Sequence, residues 1–146
     1  MTQEDKKLLL TDLSARLPYG VKIRLGDYDY QVCGYDSEKE MPVKIWYYYD
    51  SNIILKSYID IHLTDYRPYL RPMSSMTEEE KVEYYNTMDK ETQRNYPNSC
   101  DFSESVYYSN TIKTFDWLNA HHFDYRGLIE KGLAIAVIEE NNPYKE

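Results

Sequence analysis

The sequence predicts an α+β fold: an N-terminal helix, a small SH3-like barrel or curled antiparallel sheet, and C-terminal helices. Two observations predict it. Apolar residues recur at helical spacing near the start and in the second half, whereas they alternate with polar residues in between. Turn signals separate the alternating runs, as is typical of short strands. The chain of 146 residues is expected to form one compact domain. Its expected parts are a helix (1–18), a small β-barrel or sheet (19–72), a mainly helical part (73–138) and a tail (139–146).

The first helix is predicted over residues 2 to 17. Thr2 can cap it, and Glu4 and Asp5 favour the positive end of the helix dipole. Pro18 and Gly20 end it. Its predicted apolar face consists of Leu9, Leu10, Leu13 and Leu17.

Four strands are predicted after this helix, because apolar side chains then recur at every second position. Gly26-Asp27 makes a hairpin of the first two. A polar loop, 36–42, precedes the third, and a tight turn at 50–52 precedes the fourth. The strands are VKIRL (21–25), YDYQVCGYD (28–36), VKIWYYY (43–49) and IILKSYIDIHL (53–63).

Residues 64–72 are predicted to leave the sheet as a 3₁₀ turn, because Pro68 and Pro72 lack the N–H that a central strand needs. Thr77 and Glu80 then have the spacing of a capping box, which predicts a helix from 78 to 90. That helix is expected to bury Val82, Tyr85 and Met88 or near neighbours.

The rest of the chain is predicted to alternate between loops and short elements. Asp124 is expected to cap the second of two helices, and Gly132 to end it. The predicted elements are a polar loop (91–105), a short strand (105–110), a helix (111–121) with Ile112, Phe115 and Leu118 on one face, a two-turn helix (125–131), a short strand or helix continuation (133–138) and a frayed tail.

The predicted core follows from the same patterns. The residues expected to be mostly buried are Leu10, Leu13, Val21, Ile23, Val32, Ile45, Phe115, Trp117 and Leu118.

Composition excludes several classes of function. The net charge of −8 argues against binding to nucleic acid phosphates. The longest apolar run, 133–138, is too short for a membrane span, and the N-terminus does not resemble a secretory signal. We therefore expect a cytoplasmic protein without membrane contact. Cys33 and Cys100 are either two buried thiols or a single bridge, and the sequence leaves both open.

No catalytic, cofactor or metal site is expected. His121 and His122 are adjacent, so they do not have the i,i+4 spacing of helical metal ligands. We expect one of them to pack near a helix end and the other to be solvated. Cys33 lies in a predicted strand, which disfavours a reactive thiolate. No nucleophile motif or glycine-rich phosphate loop is present.

Tyrosine is the unusual feature: the chain has 17 Tyr but 3 Phe and 2 Trp. Tyrosine suits half-exposed strands and protein interfaces. In the strand 43–49, Val43, Ile45, Tyr47 and Tyr49 share the more apolar face. Trp46 and Tyr48, on the other face, are therefore the candidate contacts for a protein partner.

Three blocks, LLLTDLSARLPYGVK (8–22), DYRPYLRPMSSMTEEEK (65–81) and WLNAHHFDYRGLIEKGLA (117–134), resemble a family of short proteins of Bacteroides-type gut phages and prophages. The resemblance implies a mobile-element setting and a cytoplasmic protein, and it implies no activity, cofactor or catalytic residue. The segments 36–57 and 89–110 do not share it.

The function expected from these features is non-enzymatic: an accessory protein that binds another protein of the host or the phage. One alternative is an acidic inhibitor that mimics nucleic acid and binds a host nucleic-acid-binding or defence protein. A small enzyme of uncatalogued type is the third. The partner and the oligomeric state are left open.

Overall fold

The computed structural model describes residues 1–35, 43–50, 53–62, 66–95 and 111–145. In two of the strands it describes the backbone, but not the side chains of 44, 46–50 and 53–61. The predicted loop 36–42, the predicted strand 105–110, the end of the predicted loop 91–105 and Cys100 lie outside the described residues.

The α+β class is confirmed: an N-terminal helix precedes a sheet, and further helices follow it. The helices are α1 (Gln3–Arg16), α2 (Glu78–Thr87), α3 (Lys90–Asn95) and α4 (Ile112–Ala120). The strands are β1 (Lys22–Leu25), β2 (Tyr28–Tyr35), β3 (Val43–Asp50), β4 (Ile53–Ile61), β5 (Tyr66–Leu70) and β6 (Ile135–Ala136).

The strands form an open mixed sheet in the order β4-β3-β2-β1-β5-β6. All neighbours are antiparallel except β5 and β6, which are parallel. Within the described ranges β4 and β6 are the two ends of the sheet. Of the two expected forms, a closed barrel or a curled antiparallel sheet, the barrel is therefore wrong; the sheet is open and antiparallel except for the β5–β6 pair. Strand β5, which follows β4 in the chain, pairs on one side with β1 and on the other with β6, so it has no free edge with which to close the sheet against β4.

The prediction that 64–72 leaves the sheet is also wrong, because residues 66–70 form β5. Pro68 lies opposite Ile23 of β1. The carbonyl of Leu70 accepts from the Val137 N–H on the β6 side at 2.8 Å. Backbone groups alternate along a strand, so Pro68 also directs its nitrogen to that side. The pairing with β6 begins only at Tyr69, and the missing donor therefore costs no ladder bond.

The predicted cap at Thr2 and the predicted capping box at Thr77 are both present, and the Thr2 cap is also a capping box. The Thr2 side chain accepts from the Asp5 N–H, and Asp5 accepts from the Thr2 N–H. Thr77 and Glu80 form the same pair of bonds at the start of α2. After α1, a 3₁₀ turn (Leu17–Tyr19) ends at Gly20, whose φ of 68° places it in the left-handed region. Each box satisfies two N–H groups that a helix end leaves free.

The core consists of two clusters. One joins α1 to the sheet and the C-terminal region, and contains Leu9, Leu13, Val21, Ile23, Val32, Val43, Ile45, Tyr66, Leu70, Leu128, Leu133 and Ala134. The other joins α2 to α4, and contains Met76, Tyr84, Met88, Leu118 and Phe123. Most of the predicted core is buried as expected, but Leu10, Phe115 and Trp117 are only half-buried.

The predicted core faces of the two later helices are right in part. Met88 and Leu118 are buried as predicted. Val82 is 57% exposed, and α2 buries Tyr84 instead. Ile112 is 78% exposed, and α4 buries Thr114 beside Leu118. Val82 and Ile112 lie in solvent because the two helices pack through their Tyr84 and Leu118 sides.

The C-terminal region differs from the prediction in two ways. Residues 125–132 form turns rather than a two-turn helix, although the Asp124 carboxylate does accept from backbone N–H groups, those of Leu128 and Ile129, at 2.9 and 2.8 Å. The expected frayed tail instead contains a 3₁₀ turn (Glu139–Asn141) and packs back on the sheet through Tyr144. The short strand expected within 133–138 is present as β6.

We expect Thr77→Ala to lower the free energy of unfolding by about 1 kcal/mol, because the Glu80 N–H loses its acceptor. Chemical denaturation followed by circular dichroism measures this change. Thr77→Ser keeps the hydroxyl and should retain most of the stability. Equal losses in both variants would show that the hydroxyl is not what stabilises the start of α2.

Candidate functional site

The three sequence blocks that carry the resemblance meet around Phe123. The Arg16 side chain, from the first block, donates to the Phe123 carbonyl at 2.8 Å. The Arg71 guanidinium, from the second, lies 4.2 Å from the centre of the Phe123 ring. We call Asp12, Arg16, Arg71, His122, Phe123 and Arg126 the Phe123 junction.

A buried ion pair forms the first half of the junction. Arg16 Nε and Nη2 donate to the two Asp12 carboxylate oxygens at 2.7 and 2.9 Å. Both residues are fully buried. Arg126 Nε lies 3.5 Å from the same carboxylate, so two guanidinium groups face one carboxylate. Burying charges in this way is costly unless they are paired and hydrogen-bonded. Asp12 and the Nε and Nη2 groups of Arg16 meet this condition, whereas the buried Nη1 of Arg16 has no hydrogen-bond partner among the described residues.

The sequence contains a signal for this ion pair that the predicted helix face leaves out. Positions 9, 12, 13 and 16 follow the i, i+3, i+4, i+7 spacing of one helix face. Leu9 and Leu13 are apolar, and Asp12 and Arg16 are opposite charges four residues apart. The predicted face includes Leu10 and Leu17 in place of the charged pair.

Arg71 connects β5 to α2 in the second half of the junction. It donates to both Glu80 carboxylate oxygens, at 2.7 and 2.8 Å. These hydrogen bonds are the main reason why the pKa of Glu80 is lowered. The backbone of Arg71 donates to the His122 carbonyl and accepts from the Asp124 N–H, at 2.8 Å each. Strand β5 is thereby extended by a parallel bridge to Phe123.

The C-terminal segment completes the junction through Tyr144. Its ring stacks on His122, with centroids 3.9 Å apart and planes 9° from parallel. Its hydroxyl accepts from the Lys22 N–H of β1 at 3.1 Å and donates to the Tyr69 carbonyl of β5 at 2.9 Å. Tyr144 therefore connects β1 and β5 beyond their last paired residues. Burial raises the pKa of Tyr144 to about 12.

The two histidines have different surroundings, partly as expected. His122 is buried in a left-handed conformation, with φ 58°. Burial, with Arg16 as the next cause, lowers its pKa to about 4. His121 is half-buried rather than solvated: it stacks on Trp117 with centroids 4.0 Å apart. Nowhere in the described ranges do three or more His, Cys, Asp or Glu residues come together as metal ligands would.

The chemistry available to the junction is limited by its burial. Asp12 and Arg16 have no exposed surface, so no substrate can reach them without local unfolding. The Asp12 carboxylate and the Nε and Nη2 groups of Arg16 are used in contacts within the chain itself. The junction therefore stabilises the fold and fixes the relative positions of α1, β5 and the C-terminal segment.

The predicted contact residues, Trp46 and Tyr48, lie far along the sheet in the β3–β4 hairpin (43–50 and 53–61). Val43 and Ile45 are fully buried, and Trp46 and Tyr48 take the alternate positions of the same strand, as predicted. Their side chains lie outside the described part of the structure. In the register Trp46 lies opposite Tyr58, and Tyr48 opposite Lys56.

The outer half of this hairpin extends beyond its neighbour. In the described backbone, the register between β2 and β3 ends at the pair Val32–Ile45. In the same register, positions 46, 47, 48 and 50 of β3 pair with β4 alone, and the pairing is irregular between Tyr48 and Asp50. This part of the hairpin therefore contains the aromatic run 46–49 and lies at the end of the sheet.

Comparisons with protein-family models, with curated proteins and with solved structures find no match to this chain. Among the helices described, none has the length and apolar character that crossing a bilayer requires.

We expect Asp12→Asn to lower the free energy of unfolding by about 3 kcal/mol or more, because Arg16 stays buried without its counter-charge. Denaturant titration measures this loss. Glu139→Gln is the matched control: it removes one charge of the exposed pair with Lys145 and should cost less than about 1 kcal/mol. Similar losses in the two variants would contradict a special role for the buried pair.

His122 should make stability depend on pH. The pKa of its side chain is about 4 in the folded chain, against an ordinary value of 6.5, so the unfolded chain binds more protons between these values. The stability is fully present above pH 6.5 and decreases as the pH falls toward 4, by at most about 3 kcal/mol.

His122→Asn removes the titrating ring, and asparagine tolerates a left-handed backbone. The free energy of unfolding, measured between acid and neutral pH, should therefore fall less steeply toward acid in this variant than in the wild type. Carboxylates such as Glu80 are present in both the variant and the wild type. The difference between their two pH profiles therefore reports on His122. Parallel pH profiles would refute this assignment.

Proposed function

We propose that this chain is a non-enzymatic accessory protein of a phage or prophage that binds another protein through the β3–β4 hairpin. The mobile-element setting and the cytoplasm of a bacterial host come from the resemblance of the three sequence blocks. The observation that supports the binding mode is the hairpin, which lies at the end of the open sheet and extends beyond β2.

The face opposite Val43 and Ile45 is the proposed contact surface. Alternation along β3 and the register with β4 place Trp46, Tyr48 and Tyr58 on it. Trp and Tyr are the residues most enriched among those that dominate binding energy in protein interfaces. Lys44 and Asp60, which lie opposite one another in the register, provide polar positions at one end of this surface.

The location of the hairpin fits this role. The Phe123 junction lies around β5 and the C-terminal segment, on the other side of β1 and β2 in the strand order. Substitutions in the hairpin can therefore change partner binding without disturbing the buried ion pair. The hairpin also belongs largely to the segment 36–57, which does not share the family resemblance, and it could give this chain its own partner.

We expect Trp46→Ala and Tyr48→Ala each to weaken partner binding at least tenfold, which is the effect of truncating an aromatic anchor in an interface. The measurement is capture of proteins from bacterial host lysate on the tagged chain, followed by titration with the purified partner at low and high salt. Tyr28→Ala is the matched control, since Tyr28 is a strand tyrosine that is 70% exposed.

A partner that binds both hairpin variants normally would contradict the proposal. If binding were also lost steeply with salt, the result would favour the acidic inhibitor, because exposed charges are screened over about 8 Å at physiological ionic strength. If Tyr28→Ala weakened partner binding as much as the two hairpin variants do, the proposed contact surface would be wrong.

A further inference from the structure

Strand β4 has an edge that no described residue pairs with. It lies at the end of the strand order, and its neighbour in the sheet is β3. It has nine residues, Ile53–Ile61, and its sequence IILKSYIDI contains neither proline nor glycine. Edge strands present free N–H and C=O groups, and protected ones usually carry proline, several charges or a bulge. Strand β4 carries two charged residues, Lys56 and Asp60, and an irregularity in its pairing with β3 between Ile53 and Lys56. The regular part of the edge is therefore Lys56–Ile61.

The pattern of β4 is complementary to itself in one antiparallel register. A two-fold axis perpendicular to the sheet joins two copies so that each residue faces one of the same parity. Centring the axis on Tyr58 places Lys56 opposite the partner's Asp60, and this pair occurs twice. Centring it on Lys56 or Asp60 places like charges opposite one another. Centring it on Ser57 or Ile59 leaves both charges facing uncharged residues.

The same register keeps each residue on its own face of the sheet. Ile59 and Ile61 lie opposite Ile45 and Val43 of β3, so the odd-numbered positions from Ser57 to Ile61 belong to the face of the buried core. Between the pairs Tyr48–Lys56 and Asp50–Ile53, β4 has one more residue than β3, so this alternation does not extend past Lys56. Centring on Tyr58 places Ser57 opposite the partner's Ile59 on the core face, and it places both charged pairs and Tyr58 on the other face. The complementarity between the two copies therefore comes from the charged pairs.

We propose that the chain forms a homodimer by antiparallel pairing of β4 with β4 of a second copy, in the register centred on Tyr58. The pairing joins two six-stranded sheets into one continuous sheet. The axis is perpendicular to the sheet, so the Trp46 and Tyr48 positions of both copies lie on the same side. Dimerisation through β4 does not depend on any partner that the aromatic face binds.

The test is sedimentation velocity of the full-length chain from low to high micromolar concentration. The mass should rise with concentration from 17.5 kDa toward twice that value. Lys56→Asp and Asp60→Lys each create two pairs of like charges, and each should weaken the dimer roughly tenfold or more, since opposed like charges destabilise paired strands. The double variant, Lys56→Asp with Asp60→Lys, restores opposite charges at both positions and should restore the dimer.

The double variant separates dimerisation from folding. Asp60 lies opposite Lys44 within the monomer, so Asp60→Lys also places two lysines opposite each other in β3 and β4. The double variant keeps this unfavourable pair of lysines within the monomer. If it dimerises again, the gain can come only from the contact between the two copies. Lys113→Asp on the exposed side of α4 makes the same change in net charge as Lys56→Asp, and it should leave the dimer unchanged.

Three results would overturn the inference. The first is a chain that stays monomeric at every concentration. This includes the case in which another part of the same chain pairs with β4 and protects its amides from hydrogen exchange. The second is a dimer that Lys56→Asp leaves intact. The third is a dimer that both single variants weaken and the double variant does not restore. Loss of partner binding in Trp46→Ala with an unchanged dimer would bear on the proposed function alone.

Discussion

The guanidinium of Arg16 connects parts of the chain that are far apart in sequence. It pairs with Asp12 on its own helix and donates to the carbonyl of Phe123, 107 residues later. Leu9 and Leu13, on the same helix face, belong to one hydrophobic cluster, whereas Phe123 belongs to the other. A single buried cation thus joins the two clusters. Removing its carboxylate partner would leave a charge without compensation where water cannot reach it.

Several unexpected features follow from the position of Phe123. Once this residue is fixed, the backbone of 122–124 pairs with Arg71 and extends β5. His122 is then buried beside Tyr144, whose hydroxyl connects β1 and β5. Burial is also why the pKa of His122 is low. The expected sensitivity of stability to acid and the packing of the C-terminal segment therefore have one structural origin.

The opposite end of the sheet has different properties. The hairpin of β3 and β4 carries an aromatic run, and in the described structure it has a strand neighbour on one side alone. Both proposals concern this region: a partner on the face with Trp46 and Tyr48, and a second copy along the edge of β4. The two surfaces are compatible, because pairing at the edge leaves that face uncovered. A dimer would present two such faces on one side of a continuous sheet, and binding to a repeated or dimeric partner would gain from this arrangement.

Local sequence signals were enough to predict the elements that depend on neighbours in the chain. Capping boxes at Thr2 and Thr77 start their helices, and Gly26 allows the first hairpin, because these signals act over two to four residues. The alternation in β3 also predicted the face that Val43 and Ile45 share, and both residues are buried. The phage setting and the partner stay predictions.

The roles of Pro68, Asp12 and Tyr144 depend on long-range contacts in the folded chain. A proline is acceptable in β5 because of where β6 begins, and a charged pair is acceptable in a helix face because of a carbonyl 107 residues away. The C-terminal segment packs on the sheet because the Tyr144 hydroxyl bonds to two backbone groups, the Lys22 N–H of β1 and the Tyr69 carbonyl of β5. In each case the deciding partner is distant in sequence, and local patterns carry no information about it.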